Sequence, residues 1–282
     1  MLVSFKDQKL STQFLTKDQL QQAIPVAFKE LPTNPNVSQK YIHINTSTVV
    51  DDLAKLGWFP VEAKQRRTRK SQTIFSKHMV VFQNPDLKIK SDDGDDAFPR
   101  IILTNSSDGF NSFQFRVGIY RLICSNGLVV ADEEFSSFKI RHMGYTFEEL
   151  QDTITAVVTD LPNKLEILNK MQEKVLTQEE KEQFATNALK IRAGVSLKEK
   201  KEYGKETLED ILTPLREEDK GDSLWNIFNI LQEKVIKGGF SAALAGAKVR
   251  KVRPIKSFEK DLKVNQELFK LATSLVDLSS YN

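Results

Sequence analysis

The spacing of apolar positions changes near Tyr145, and that change separates two kinds of predicted structure. Before it, short runs alternate or are wholly apolar, as strands do. Residues 41–44 alternate, and His78-Met79-Val80-Val81-Phe82 forms a second strand stopped by Asn84-Pro85. Residues 99–104 and 112–118 flank an Asn105-Ser106-Ser107-Asp108-Gly109 turn and predict an antiparallel pair. Residues 58–69 read as extended chain, and residues 135–142 alternate with Phe138 and Ile140 on one face. Residues 120–130 are too short a run to declare helix or strand. Two short helices interrupt this half. Thr16 and Gln19 form a capping box, and Thr46 or Ser47 caps a helix through Leu56 that Gly57 ends in the left-handed conformation. Residues 87–98 form an acidic loop with a turn at Asp92-Asp93-Gly94.

After Tyr145 the period becomes helical. Thr146 and Glu149 form a capping box, followed by Leu150, Ile154, Val157, Val158, Leu161, Leu165, Leu168 and Met171 at helical spacing. Pro162 inside that run predicts either a kink or two abutting helices with Asp160 as the second cap. Thr177 and Glu180 cap a helix ended by Gly194, residues 223–237 are amphipathic up to Gly238-Gly239, and a last helix covers residues 258–276. The expected fold is therefore α+β. An N-terminal antiparallel β-rich core with short helices occupies residues 1–145, and a mainly helical C-terminal half, residues 146–282, packs on or extends it.

A chain of 282 residues, 40% hydrophobic and 28% charged, can bury a large core and excludes general disorder. No apolar run approaches the roughly 20 residues of a membrane span, so no membrane association is expected. Residues 1–14 lack a secretory h-region, and a single Cys points to a reducing compartment, so a cytoplasmic location is expected. The net charge is only +3, yet its distribution is uneven. Residues 61–80 carry Lys64, Arg66, Arg67, Arg69, Lys70 and Lys77 against Glu62 alone. Residues 248–263 carry Lys248, Arg250, Lys251, Arg253, Lys256, Lys260 and Lys263 against Glu259 and Asp261.

Catalytic devices are hard to find. His43, His78 and His142 stand singly without metal-ligand spacing, and one Cys cannot build a structural zinc site, so no metal is expected. No P-loop or dinucleotide fingerprint occurs, and no cofactor is expected. Asp92 to Asp96 lacks the ligand spacing of a calcium loop and reads as a solvated turn. Cys124 is either a nucleophile awaiting a His or a small buried packer beside Leu122 and Ile123, and the flanks favour packing. No catalytic residue is assigned, and an enzyme acting on nucleic acid ranks third among the readings.

The basic runs carry the leading expectation. A groove of cations beside aromatic rings holds single-stranded nucleic acid by its phosphates and stacked bases. Lys64, Arg66, Arg67, Arg69 and Lys70 would line it near Trp58, Phe59 and Phe75. Arg116, Arg121 and Arg141, interleaved with Phe110, Phe113, Phe115 and Tyr120, are further candidates. Arg250 and Arg253 supply the second run, for which pairing with acids of residues 199–218 is at least as strong an alternative. Plainer readings are core packing for the Phe residues and a charged edge strand that resists aggregation.

Several motifs give the chain a kinship. Leu56-Gly57-Trp58 precedes the basic strand, and His78-Met79-Val80-Val81-Phe82 follows it. Pro99-Arg100-Ile101-Ile102-Leu103-Thr104-Asn105-Ser106-Ser107-Asp108-Gly109 leads to Tyr120-Arg121-Leu122-Ile123-Cys124-Ser125-Asn126-Gly127. Ser223-Leu224-Trp225-Asn226-Ile227-Phe228-Asn229 and Asn265-Gln266-Glu267-Leu268-Phe269 close the series. Across residues 41–272 the chain resembles the phage/plasmid-like family known as domain of unknown function 932. The resemblance implies a protein of a phage, plasmid or other mobile element in a bacterial host cytoplasm, with no established activity. The expected function is non-enzymatic binding of single-stranded DNA in recombination or replication, with self-association extending the groove. The alternative is a protein-interaction module whose acidic surface inhibits a host defence or replication factor.

Overall fold

The structure is a computed structural model that describes residues 13–28, 44–66, 76–87, 97–106, 113–121, 127–128, 138–140, 146–200, 202–243 and 248–277. It is α+β, with the antiparallel sheet in the N-terminal half and the longer helices after it. The chain forms two compact units, Met1–Gly127 with Glu133–Val158 and Leu128–Asp132 with Thr159–Asn282.

In the first unit, α1 (Lys17–Ala23) starts at a complete capping box between Thr16 and Gln19. The next helix, α2 (Thr46–Lys55), is capped one residue earlier than the sequence predicts. Asn45 Oδ1 accepts from the Ser47 N–H at 3.0 Å, because the Thr46 hydroxyl is engaged by His78 at 2.8 Å. Gly57 ends the helix with φ +82°, and the buried Trp58 leads into β1 (Phe59–Gln65). That strand pairs with β2 (His78–Gln83), which pairs with β3 (Ala97–Asn105), which pairs with β4 (Phe113–Arg121), all antiparallel. Val80, Val81, Phe82, Ile101, Ile102 and Leu103 have no exposed surface. Both central strands are thus covered on both faces, which is why they read as unbroken apolar runs instead of alternating.

The ambiguous run at residues 120–130 contributes the end of β4 and then β5 (Gly127–Leu128), so its described parts are strand. The strand expected near residues 135–142 is β6 (Phe138–Ile140), paired with β4 through Phe113↔Ile140 and Phe115↔Phe138. The strand expected at residues 41–44, the acidic turn at residues 92–96, and His43, His142 and Cys124 lie outside the described residues, apart from Ile44.

One helix, α3 (Phe147–Glu173), passes through Pro162 without ending, so the reading of two abutting helices with an Asp160 cap falls. Its N-terminus is held by the Thr146 hydroxyl, which accepts from the Glu149 N–H at 3.2 Å. The chain leaves the first unit for the last time within this helix, between Val158 and Thr159.

The second unit is built round α6 (Leu224–Lys237), against which α4 (Gln178–Ala193), α5 (Lys205–Leu212) and α7 (Phe258–Asp277) pack. Leu224, Phe228, Leu231 and Val235 are wholly buried, and Phe228 meets Phe269 of α7 edge-on at 6.2 Å. With nearly every face of α6 covered, its polar residues need internal partners. Gln232 donates to Asn265 Oδ1 at 2.7 Å, and Glu233 accepts from Arg216 at 2.6 Å and from Lys237 at 2.7 Å. Between α6 and α7 a small hairpin, β7 (Ser241–Ala242) and β8 (Arg250–Lys251), turns the chain back.

The predicted cap of α4 is present in full, Thr177 and Glu180 satisfying each other's backbone donors, and Gly194 closes the helix in the left-handed conformation. A Thr177→Ala variant is expected to lose about 1 kcal/mol of stability. Urea unfolding would check this, and an unchanged midpoint would show that the cap contributes nothing.

Candidate nucleic-acid interface

In the first unit the candidate cations differ in their surroundings. Lys64 lies in β1 and is ion-paired with Glu62, while Arg66 is exposed where β1 ends. Arg67, Arg69, Lys70 and Arg141 lie outside the described residues. Arg116 turns its guanidinium inward, donating to Thr104 Oγ1 at 2.9 Å and to Gln114 Oε1. Burial pushes its pKa below the ordinary value, so this side chain is part of the sheet's own polar framework. Arg121 sits at the other end of β4, in register with Ala97, whereas Arg116 is opposite Ile102. Phe115 is buried, as its plainer reading expects.

At the end of the sheet where β2 begins and β3 finishes lies a polar node. His78 Nδ1 faces the Ser76 carbonyl at 3.3 Å and must donate there, leaving Nε2 to accept the Thr46 hydroxyl. Asn105 in turn donates to Thr46 Oγ1 at 3.0 Å. A hydroxyl against an imidazole nitrogen resembles an activated nucleophile. Thr46, Ser76, His78 and Asn105 are each at most 2% exposed, and the network ties the first turn of α2 to β2 and β3.

The second unit offers a different arrangement. Lys248, Arg250, Lys251, Arg253, Lys256 and Lys260 are all exposed, and none meets a carboxylate within ion-pair distance among the described residues. The alternative expected from sequence, pairing with acids of residues 199–218, is not present there: Asp210 instead holds Lys234 at 3.4 Å and the Ser241 N–H at 2.9 Å. Only the main chain of the basic segment is tied down. Gly239 N–H donates to Val252 O at 2.9 Å, Val252 N–H to Phe240 O at 2.8 Å, and Ile255 N–H to Ile236 O at 2.8 Å. Arg192, at the end of α4, donates through Nη2 to the Arg253 carbonyl. The result is a fixed backbone with free cationic side chains. Sequence reading singled out Arg250 and Arg253 but missed Arg192, whose contact spans 61 positions and leaves no local signal.

Phe184, Phe228, Phe240, Phe258 and Phe269 are buried, and the half-buried Trp225 stacks on Phe228. Among the described residues no group of His, Cys, Asp and Glu could hold a metal ion, and no helix is long and apolar enough to cross a membrane.

Residues 35–269 match a sequence family described as Domain of unknown function (DUF932). The chain belongs to that family. The match takes in β1 to β6, the buried α6 and the whole basic edge of this DUF932 protein, ending within α7. It is 29% identical over 270 residues to the UPF0380 protein YafZ of Escherichia coli K12, covering 93% of this chain and 92% of that protein. The UPF0380 protein YfjQ of the same organism is 29% identical over 263 residues, with 93% and 92% covered. No solved structure matches the DUF932 chain.

Proposed function

We propose that this protein binds nucleic acid through its phosphates, with single-stranded DNA as the ligand and recombination or replication of a phage or other mobile element as the setting. The observation that carries this reading is the cationic edge of the second unit, where six exposed Lys and Arg side chains between Lys248 and Lys260 have no acidic partner among the described residues. Surface cations held close together repel one another, and a phosphate chain relieves that repulsion while releasing its counterions. The main-chain hydrogen bonds that fix residues 252 and 255 spare part of the ordering cost on binding.

A labelled single-stranded oligonucleotide titrated at several salt concentrations tests the reading. The native protein should bind with a steep salt slope. Reversing Lys248, Arg250 and Lys251 to Glu should weaken binding roughly tenfold to a hundredfold and reduce the slope by about 2. A parallel reversal of Arg66, Arg67 and Arg69 measures what the first unit contributes. No binding at low salt, or binding indifferent to both reversals, overturns the proposal.

A further inference from the structure

Arg192 is unlike the other cations of the second unit. A positive charge in the last turn of α4 is favoured by the helix dipole, and Lys190 shares that place. Lys190 is 6% exposed and settles its ammonium on the Leu197 carbonyl at 3.1 Å. Arg192 has one such contact, from Nη2 to the Arg253 carbonyl, but its Nη1 is buried without an acceptor. No carboxylate lies within ion-pair distance of it among the described residues. The helix dipole explains a cation here; it does not explain a charged donor left unmatched, which is costly away from water. Burial pushes its pKa down, as for a charge lacking its counterion. The side chain as a whole is only half-buried, and a turn of the guanidinium would carry Nη1 towards solvent. The exposed Arg253 belongs to the very residue whose carbonyl Arg192 holds.

The geometry points to a phosphate seat made by Arg192 and Arg253, in which a backbone phosphate of the bound polynucleotide supplies the acceptor that Arg192 lacks. Guanidinium suits this task because its planar donors match phosphate oxygens in pairs. The identity of the ligand rests on the nucleic-acid reading above; the anion chemistry of the seat stands on its own.

Two measurements on the full chain separate the two ideas. The first is thermal melting in sodium phosphate against sodium chloride of equal ionic strength. At a phosphate concentration about ten times the dissociation constant, the native protein should melt roughly 3 °C or more higher than in chloride. Arg192→Gln and Arg253→Glu should each remove most of that difference, and Arg192→Lys should keep part of it. The comparison is internal to each variant, and Arg253→Glu, at an exposed side chain, serves should Arg192→Gln fail to fold. No excess in the native protein, or an excess equal in both variants, overturns the seat. The second is the salt slope for the single-stranded oligonucleotide, which should fall by about 0.7 in Arg192→Gln. A lost phosphate effect with an unchanged slope overturns the polynucleotide as ligand and leaves a seat for free phosphate. A phosphate effect that survives in Arg192→Gln, while the Lys248, Arg250 and Lys251 reversal abolishes oligonucleotide binding, overturns the seat and leaves the function standing.

Discussion

Replacing Glu233 by Ala is expected to destabilise the protein by about 3 kcal/mol, because it removes one partner of a mostly buried ion pair. The Glu233 side chain is 6% exposed and accepts from Arg216, itself 20% exposed, and from Lys237. Arg216 also forms an ion pair with the buried Asp219 at 3.6 Å, so some compensation remains after the substitution. Removing Glu233 still takes away a short, mostly buried carboxylate contact of Arg216. The contrast is with Glu217, whose pair with Lys220 has the same 2.6 Å separation but side chains 82% and 59% exposed. Glu217→Ala should change stability by less than about 1 kcal/mol, because water screens that pair. Urea unfolding followed by circular dichroism measures both. Equal effects from the two variants would mean that burial does not govern the strength of these pairs.

What the sequence discloses and what it hides divide along local and long-range lines. The caps at Thr16 and Thr177 depend on residues three apart, and both are present. The central strands announce themselves through uninterrupted apolar runs, and the start of α3 through a change of period at Thr146. Asn45 was not recognisable as the cap of α2, because the competitor for Thr46 is His78, 32 positions away. Charge was the least legible quantity. Arg116 and Arg250 look alike in a string of letters, yet one lies bonded within the sheet and the other stands on an exposed hairpin strand. Only packing separates a structural arginine from an available one.

A Gly238→Ala variant should lower both stability and nucleic-acid affinity while leaving every charge in place. Gly238 closes α6 with φ +68° and ψ −141°, and a Cβ there would lie 2.5 Å from the Val252 carbonyl oxygen and 2.8 Å from the Arg253 carbonyl carbon. Strain at a positive φ costs about 1–3 kcal/mol. The clash adds to it, because backbone atoms cannot rotate aside as a side chain would. Relief requires the basic segment to move away from α6, which breaks the hydrogen bonds joining Val252 to Gly239 and Phe240, each worth about 1 kcal/mol. A total loss of about 3–5 kcal/mol is expected, together with roughly tenfold weaker oligonucleotide binding as Arg250 to Arg253 lose their fixed spacing. Gly239→Ala is the matched control. Its φ is +88° but nothing lies within 4 Å of the added Cβ, so strain is the only penalty and the cationic edge stays in position. Similar affinity in the two variants would mean that the phosphates are held by charge alone, with no contribution from a prearranged backbone.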